Sequence, residues 1–147
     1  MRYDKLLQQA FSHVSEEGPR ADLHKFTSFF TRYYNSFTGV LSQKWLQGKV
    51  ESLARRLTAN TNVRAFQHNW PQSSIILHIK GTNSTLTRER GITILGAHQD
   101  SVNFLPVFAA PGADDDGSGT VTLLEILRAL GSIGTQQKRA VFWAVKL

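Results

Sequence analysis

The chain has 147 residues, which suits one domain of ordinary size, and its 41% apolar and 19% charged content fits a soluble globular fold and argues against disorder. It has no cysteine, which excludes disulfide frameworks and thiolate metal sites. The net charge of +6 comes from 17 basic and 11 acidic residues. The basic residues are dispersed (Arg55-Arg56, Arg88, Arg90, Lys138-Arg139), so they read as a solvated surface and not as a nucleic-acid tail.

Residues 1–17 are amphipathic and carry no apolar run of signal-peptide type, and no window approaches a membrane span. Leu6, Leu7, Ala10, Phe11 and Val14 recur at helical spacing, which predicts a helix over 3–16 ended by Gly18-Pro19. Asp22 reads as the cap of a second helix with Leu23, Phe26, Phe29 and Phe30. Ser42 reads as the cap of a third with Trp45, Leu46, Val50, Leu53 and Leu57. From Val63 to His68 apolar and polar residues alternate, as in a half-buried strand, and Trp70-Pro71 breaks the pattern. Ile75 to Ile79 forms a second strand and Gly81 to Arg90 a polar connection. Asn83-Ser84-Thr85 in that connection is a glycosylation sequon of the kind a Ser- and Thr-rich chain yields by chance.

Ile92 to Gly96 is short, apolar and β-branched, like a central strand covered on both faces. Gly119 to Leu130 is an apolar helix with Val121, Leu124, Ile126, Leu127 and Leu130 facing several directions, ended by Gly131 and Gly134 and sandwiched in the core. Arg139 to Val145 is a further strand. The final β-α-β unit should be parallel and right-handed. Helices over 1–60 followed by β, β, β, α, β define an α/β fold, a three-layer sandwich with a mixed β-sheet in a single unit over 1–147.

Chemistry concentrates at the end of the Ile92 strand. Residues i and i+2 of a strand share a face, so His98 and Asp100 project together at the carboxyl end, where α/β sheets bind ligands. A metal-bound histidine usually donates its other N–H to a carboxylate, and Asp100 is placed for that role. His-x-Asp alone is common and marks no metal. Asp114-Asp115-Asp116 adds the second signal: three adjacent carboxylates repel one another unless cations or helix-terminus N–H groups compensate. A capping turn accounts for one of them. A carboxylate can also bridge two metal ions, as in two-metal aminopeptidases, and histidine and carboxylate ligands without cysteine suit catalytic zinc. The spacing Asp114-x-Asp116-x-Ser118, with Glu125 at the twelfth place, also fits an EF-hand calcium loop. Pro106, Pro111 and Gly112 stand where that loop needs an entering helix, so its structural context fails.

Gly96-Ala97-His98-Gln99-Asp100-Ser101, then Ala110-Pro111-Gly112-Ala113-Asp114-Asp115-Asp116-Gly117-Ser118-Gly119, then an apolar helix, a basic pair and an apolar strand together resemble the co-catalytic zinc aminopeptidases. Thr31-Arg32-Tyr33-Tyr34-Asn35 and the run from His68 to Ile76 are similar to segments of secreted fungal members. The resemblance covers residues 25–145 and the first half of a peptidase domain. It implies that His98 ligates one zinc, that Asp115 bridges two, that Asp100 orients His98, and that Asp114 and Asp116 cap the helix or hold the turn. It implies hydrolysis of peptides or proteins with a free N-terminus, by a zinc-activated water and a glutamate general base. It also implies secretion, while the dispersed charge and the lack of a membrane-length apolar window argue against nucleic-acid and membrane partners. The family carries a Glu-Glu pair after the strand matching Val141 to Ala144, where this sequence reads Val145-Lys146-Leu147. The expectation is therefore weak, water-rich zinc binding without useful catalysis, and apolar surface left bare around the Ile92 strand. The alternative is a non-catalytic, aminopeptidase-like metal-binding or interaction protein.

Overall fold

The computed structural model describes residues 4–134 and the backbone of residues 141–146. Three helices come first: α1 (Asp4–Ser12), α2 (Glu17–Phe26) and α3 (Phe37–Ala54). Strands β1 (Thr61–Phe66) and β2 (Ser74–Ile79) follow, then a short helix α4 (Ser84–Arg90) and strand β3 (Thr93–His98). An acidic turn (Ala113–Ser118) leads into α5 (Gly119–Ser132), and β4 (Val141–Lys146) follows. Arg139, the expected start of the last strand, lies outside the described residues.

Helix boundaries moved for local reasons. Pro19 sits in the first turn of α2, where its missing N–H costs nothing, so Gly18-Pro19 opens this helix instead of closing α1. Asp22 therefore lies inside α2 and is buried, not a cap. α2 stops at Phe26, before Phe29 and Phe30, because Thr27 Oγ1 and Ser28 Oγ bond back to the carbonyls of Leu23 and Lys25. The cap of α3 is Ser36, whose Oγ accepts from Gly39 N at 3.0 Å; Ser42 is buried within the helix. Within the expected polar connection, Asn83 Oδ1 accepts from Leu86 N and caps α4, so the sequon asparagine serves the helix.

The sheet is mixed, with order β1-β2-β4-β3. β1-β2 and β2-β4 pair antiparallel, and β4-β3 pair parallel in register Leu95 to Trp143. The α/β fold with a mixed sheet is thus present. Ile75, Leu77 and Ile79 of β2 meet Leu46, Val50 and Leu53 of α3 and Leu123, Leu124 and Leu127 of α5 in one core, with Leu95 and Ala97 packed at its margin. α5 is buried along most of its surface, as expected for a sandwiched helix.

β3 departs from the expectation of a strand covered on both faces. It is an edge strand among the described residues, and Ile94 is 64% exposed. Register places Ile76 of β2 and Ile94 on one face of the sheet, the face opposite to Ile75 and Leu77 of the core. The helices of the core cover the other face. Ile92, just before the strand, is exposed as well. No helix among the described residues is long and apolar enough to cross a membrane.

Candidate metal centre

β3 delivers His98 at its carboxyl end, and the acidic turn delivers the carboxylates. His98 Nε2 lies 2.8 Å from Asp115 Oδ1, and its Nδ1 lies 3.2 Å from both the Asp100 carboxylate and the Asp100 carbonyl. The imidazole is thus held from both sides by the two carboxylates that the sequence singled out. Asp116 turns the other way. One carboxylate oxygen accepts from the backbone N–H of His98 and the other from Gly119 N at the start of α5, so this residue joins the strand end to the helix. Thr120 Oγ1 completes that junction by donating to the His98 carbonyl at 3.0 Å. The capping role expected for Asp116 is therefore seen, while Asp114 contributes its carbonyl to Ser118 Oγ. The peptide bond between Asp115 and Asp116 is cis.

The turn needs glycine at one place above all. Gly112 adopts φ +51°, and a Cβ there would sit 2.6 Å from Ser101 Cβ and 2.7 Å from the Asp115 carbonyl oxygen. Beside it opens a cleft of about 390 Å³ bordered by His98, Asp100, Val102, Gly112 and Asp115. Glu125, the twelfth position of the calcium-loop reading, is buried in α5, where it accepts from Ser15 N and pairs with Arg128. It is unavailable to the turn, and that reading falls.

Three residues to which the motif reading gave no role hold the site. Arg32 is wholly buried; its Nε donates to the Gln99 carbonyl, its Nη1 to Pro111 and its Nη2 to Gly112. Ser101 Oγ accepts from Arg32 N and donates to the Ala110 carbonyl. Gln99, pointing opposite to His98, donates from Nε2 to the Ser73 carbonyl. Sequence patterning gave Arg32 no role, because nothing in Thr-Arg-Tyr-Tyr-Asn indicates that its guanidinium turns inward.

Burial lowers the pKa of His98, but the Asp100 carbonyl and carboxylate, with Asp115 and Asp116, outweigh it and hold the imidazole above its ordinary 6.5. Burial likewise pulls Arg32 down to about 10 despite Asp100, Asp116 and Asp115, which leaves it charged at neutral pH. For the metal-free protein a sign follows. A raised folded pKa contributes stability that is present below the unfolded value and lost as pH rises through the folded one. His98→Asn should therefore lower the urea midpoint more at about pH 5.5 than at about pH 8.5. An equal drop at both pH values would count against the pairing.

Comparison with known proteins bears out the resemblance. Residues 74–146 match the sequence profile of Peptidase family M28. It is 49% identical over 131 residues to leucine aminopeptidase 1 of Pyrenophora tritici-repentis, covering 87% of this chain and 32% of that protein. It is 51% identical over 123 residues to leucine aminopeptidase 1 of Aspergillus niger, covering 80% of this chain and 30% of that protein. The crystal structure of LapB from Legionella pneumophila superposes with a TM-score of 0.83 at 21% identity, over 97% of this chain and 37% of that one, and so shares the fold. The chain spans about a third of the length of the curated relatives it matches.

Proposed function

We propose that residues 1–147 form the N-terminal part of a zinc aminopeptidase domain, in which His98 and Asp115 hold zinc and Asp100 orients His98. The observation that carries this reading is the imidazole clasped between Asp115 on Nε2 and Asp100 on Nδ1. An imidazole nitrogen and a carboxylate oxygen are zinc donors, and the second carboxylate on the far ring nitrogen fixes the tautomer that leaves Nε2 free to ligate. The donor chemistry therefore fits zinc. Among the described residues no cluster of three histidine or acidic groups could hold a metal, so the pair supplies two ligands where protein zinc sites use three or four. Weak zinc binding completed by water follows.

Zinc, when bound, supplies Lewis acidity for peptide hydrolysis. The protein's own part is positional. Asp100 holds the imidazole, Asp116 and Thr120 lock the strand end to α5, and the cleft beside Gly112 admits a peptide end. Substrates with a free N-terminus, and secretion of the parent protein, go with this reading. The non-catalytic alternative is favoured by the two-ligand count alone.

Zinc titration followed by the His98 ring resonances tests the first reading: shifts saturating with zinc are expected, and Asp115→Asn should abolish them. Absence of any zinc-dependent shift at His98 in the unaltered chain sinks it. Hydrolysis of leucine p-nitroanilide by the zinc-loaded chain separates the two readings, since turnover marks an enzyme and bound zinc without turnover marks the binding protein.

A further inference from the structure

We propose that Arg32 is a positioning residue for the zinc pair, a single side chain that sets the separation of His98 and Asp115 by tying together the two loops that carry them. This rests on the zinc reading of the site. The His98 side is held through the Gln99 carbonyl, one residue on, which accepts from Arg32 Nε at 2.8 Å. The Asp115 side is held through Pro111 and Gly112, whose carbonyls accept from the two Nη groups, the latter at 2.9 Å. The backbone N–H of Arg32 adds a fourth contact, to Ser101 Oγ.

The choice of residue follows from this arrangement. The acceptors are three carbonyls, of Gln99, Pro111 and Gly112, and a guanidinium offers five N–H donors in a rigid fork that can serve all of them at once. A lysine ammonium in the same place is a point donor on a flexible stem and cannot hold the loops at a fixed distance. The guanidinium is also fixed from behind by the Phe26 ring, 4.2 Å from its central carbon. Gly112 leaves no slack: a Cβ there would come within 2.9 Å of Arg32 Nη2. The hydrogen bonds of Arg32 go to the backbone beside His98 and Asp115, so it positions the pair through those loops, while its charge acts on Asp100, Asp116 and Asp115 through space.

The test compares zinc affinity, read from the His98 resonances at low temperature, in the unaltered chain, Arg32→Met, Arg32→Lys and Asp22→Asn. The last variant perturbs a buried ion cluster away from the site and controls for general loss of stability. Arg32→Met should weaken zinc binding by about tenfold, the scale seen when residues supporting metal ligands are removed. Arg32→Lys should fall between, and Asp22→Asn should bind zinc like the unaltered chain despite a lower melting temperature. Equal affinity in Arg32→Met and the unaltered chain overturns the proposal, as does equal weakening in Asp22→Asn, which would make Arg32 merely structural. If Arg32→Met does not fold, Arg32→Lys decides, and undiminished zinc affinity there overturns it. No zinc response in the unaltered chain instead overturns the zinc reading itself, and this proposal with it.

Discussion

Replacing Asp22 with alanine should lower the free energy of unfolding by about 3 kcal/mol, the lower end of the cost of breaking a buried ion pair. Asp22 is 3% exposed and accepts from Arg128 Nη2 at 2.6 Å and Lys49 Nζ at 2.7 Å. Arg128 also pairs with Glu125, which in turn accepts from Ser15 N, so one cluster ties α2, α3, α5 and the α1–α2 connection. Burial opposes the charge on Arg128, but Asp22 and Glu125 outweigh it and raise its pKa. Removing Asp22 leaves Arg128 with Glu125 alone, while Lys49, partly exposed, returns to water, which keeps the cost near the lower bound. Urea denaturation measures the loss. The loss should be nearly the same at low and high salt, because buried pairs are poorly screened. A loss under about 1 kcal/mol, or one that vanishes at high salt, would place the cluster with ordinary surface pairs.

The same residue shows where sequence reading stops. An aspartate before an apolar run fits a helix cap, and Asp22 looked like one. What turned it inward is the arrival of Arg128, 106 positions away, and no local pattern contains that information. Periodicity did find the faces of α3 and α5, because Leu46, Val50, Leu53, Leu124 and Leu127 repeat at helical spacing and all are buried. The position of β3 was misjudged for a related reason. Its apolar run describes what the strand could bury, whereas exposure at Ile94 depends on which elements lie against it. The pairing of His98 with Asp100 was legible from strand alternation, whereas Asp115 was singled out among three adjacent aspartates only by the resemblance. Arg32 was not, because its partners at residues 99, 111 and 112 are joined to it only by the tertiary fold.

Phe26→Ala should cost about 3–5 kcal/mol, the range for deleting a fully buried aromatic ring. Phe26 is wholly buried at the end of α2, its ring stacked on Trp45 of α3 at 5.6 Å, with the Arg32 guanidinium over the ring at 4.2 Å. Two losses combine in this one substitution: the cavity in the core, and the aromatic support of a buried cation, which is worth about 2 kcal/mol when desolvated. Phe26→Leu separates them, since it refills most of the volume but supplies no π face. It should cost about 1–2 kcal/mol, chiefly from the lost cation–π contact. A double-mutant cycle with Arg32→Met then decides whether core and site are coupled. Arg32→Met already removes the cation, so Phe26→Leu added to it should cost less than it does alone, with a coupling of at least about 0.5 kcal/mol. Strict additivity in urea melts would mean that the ring and the guanidinium lie side by side without depending on each other, and that the hydrophobic core and the metal loops are stabilised independently.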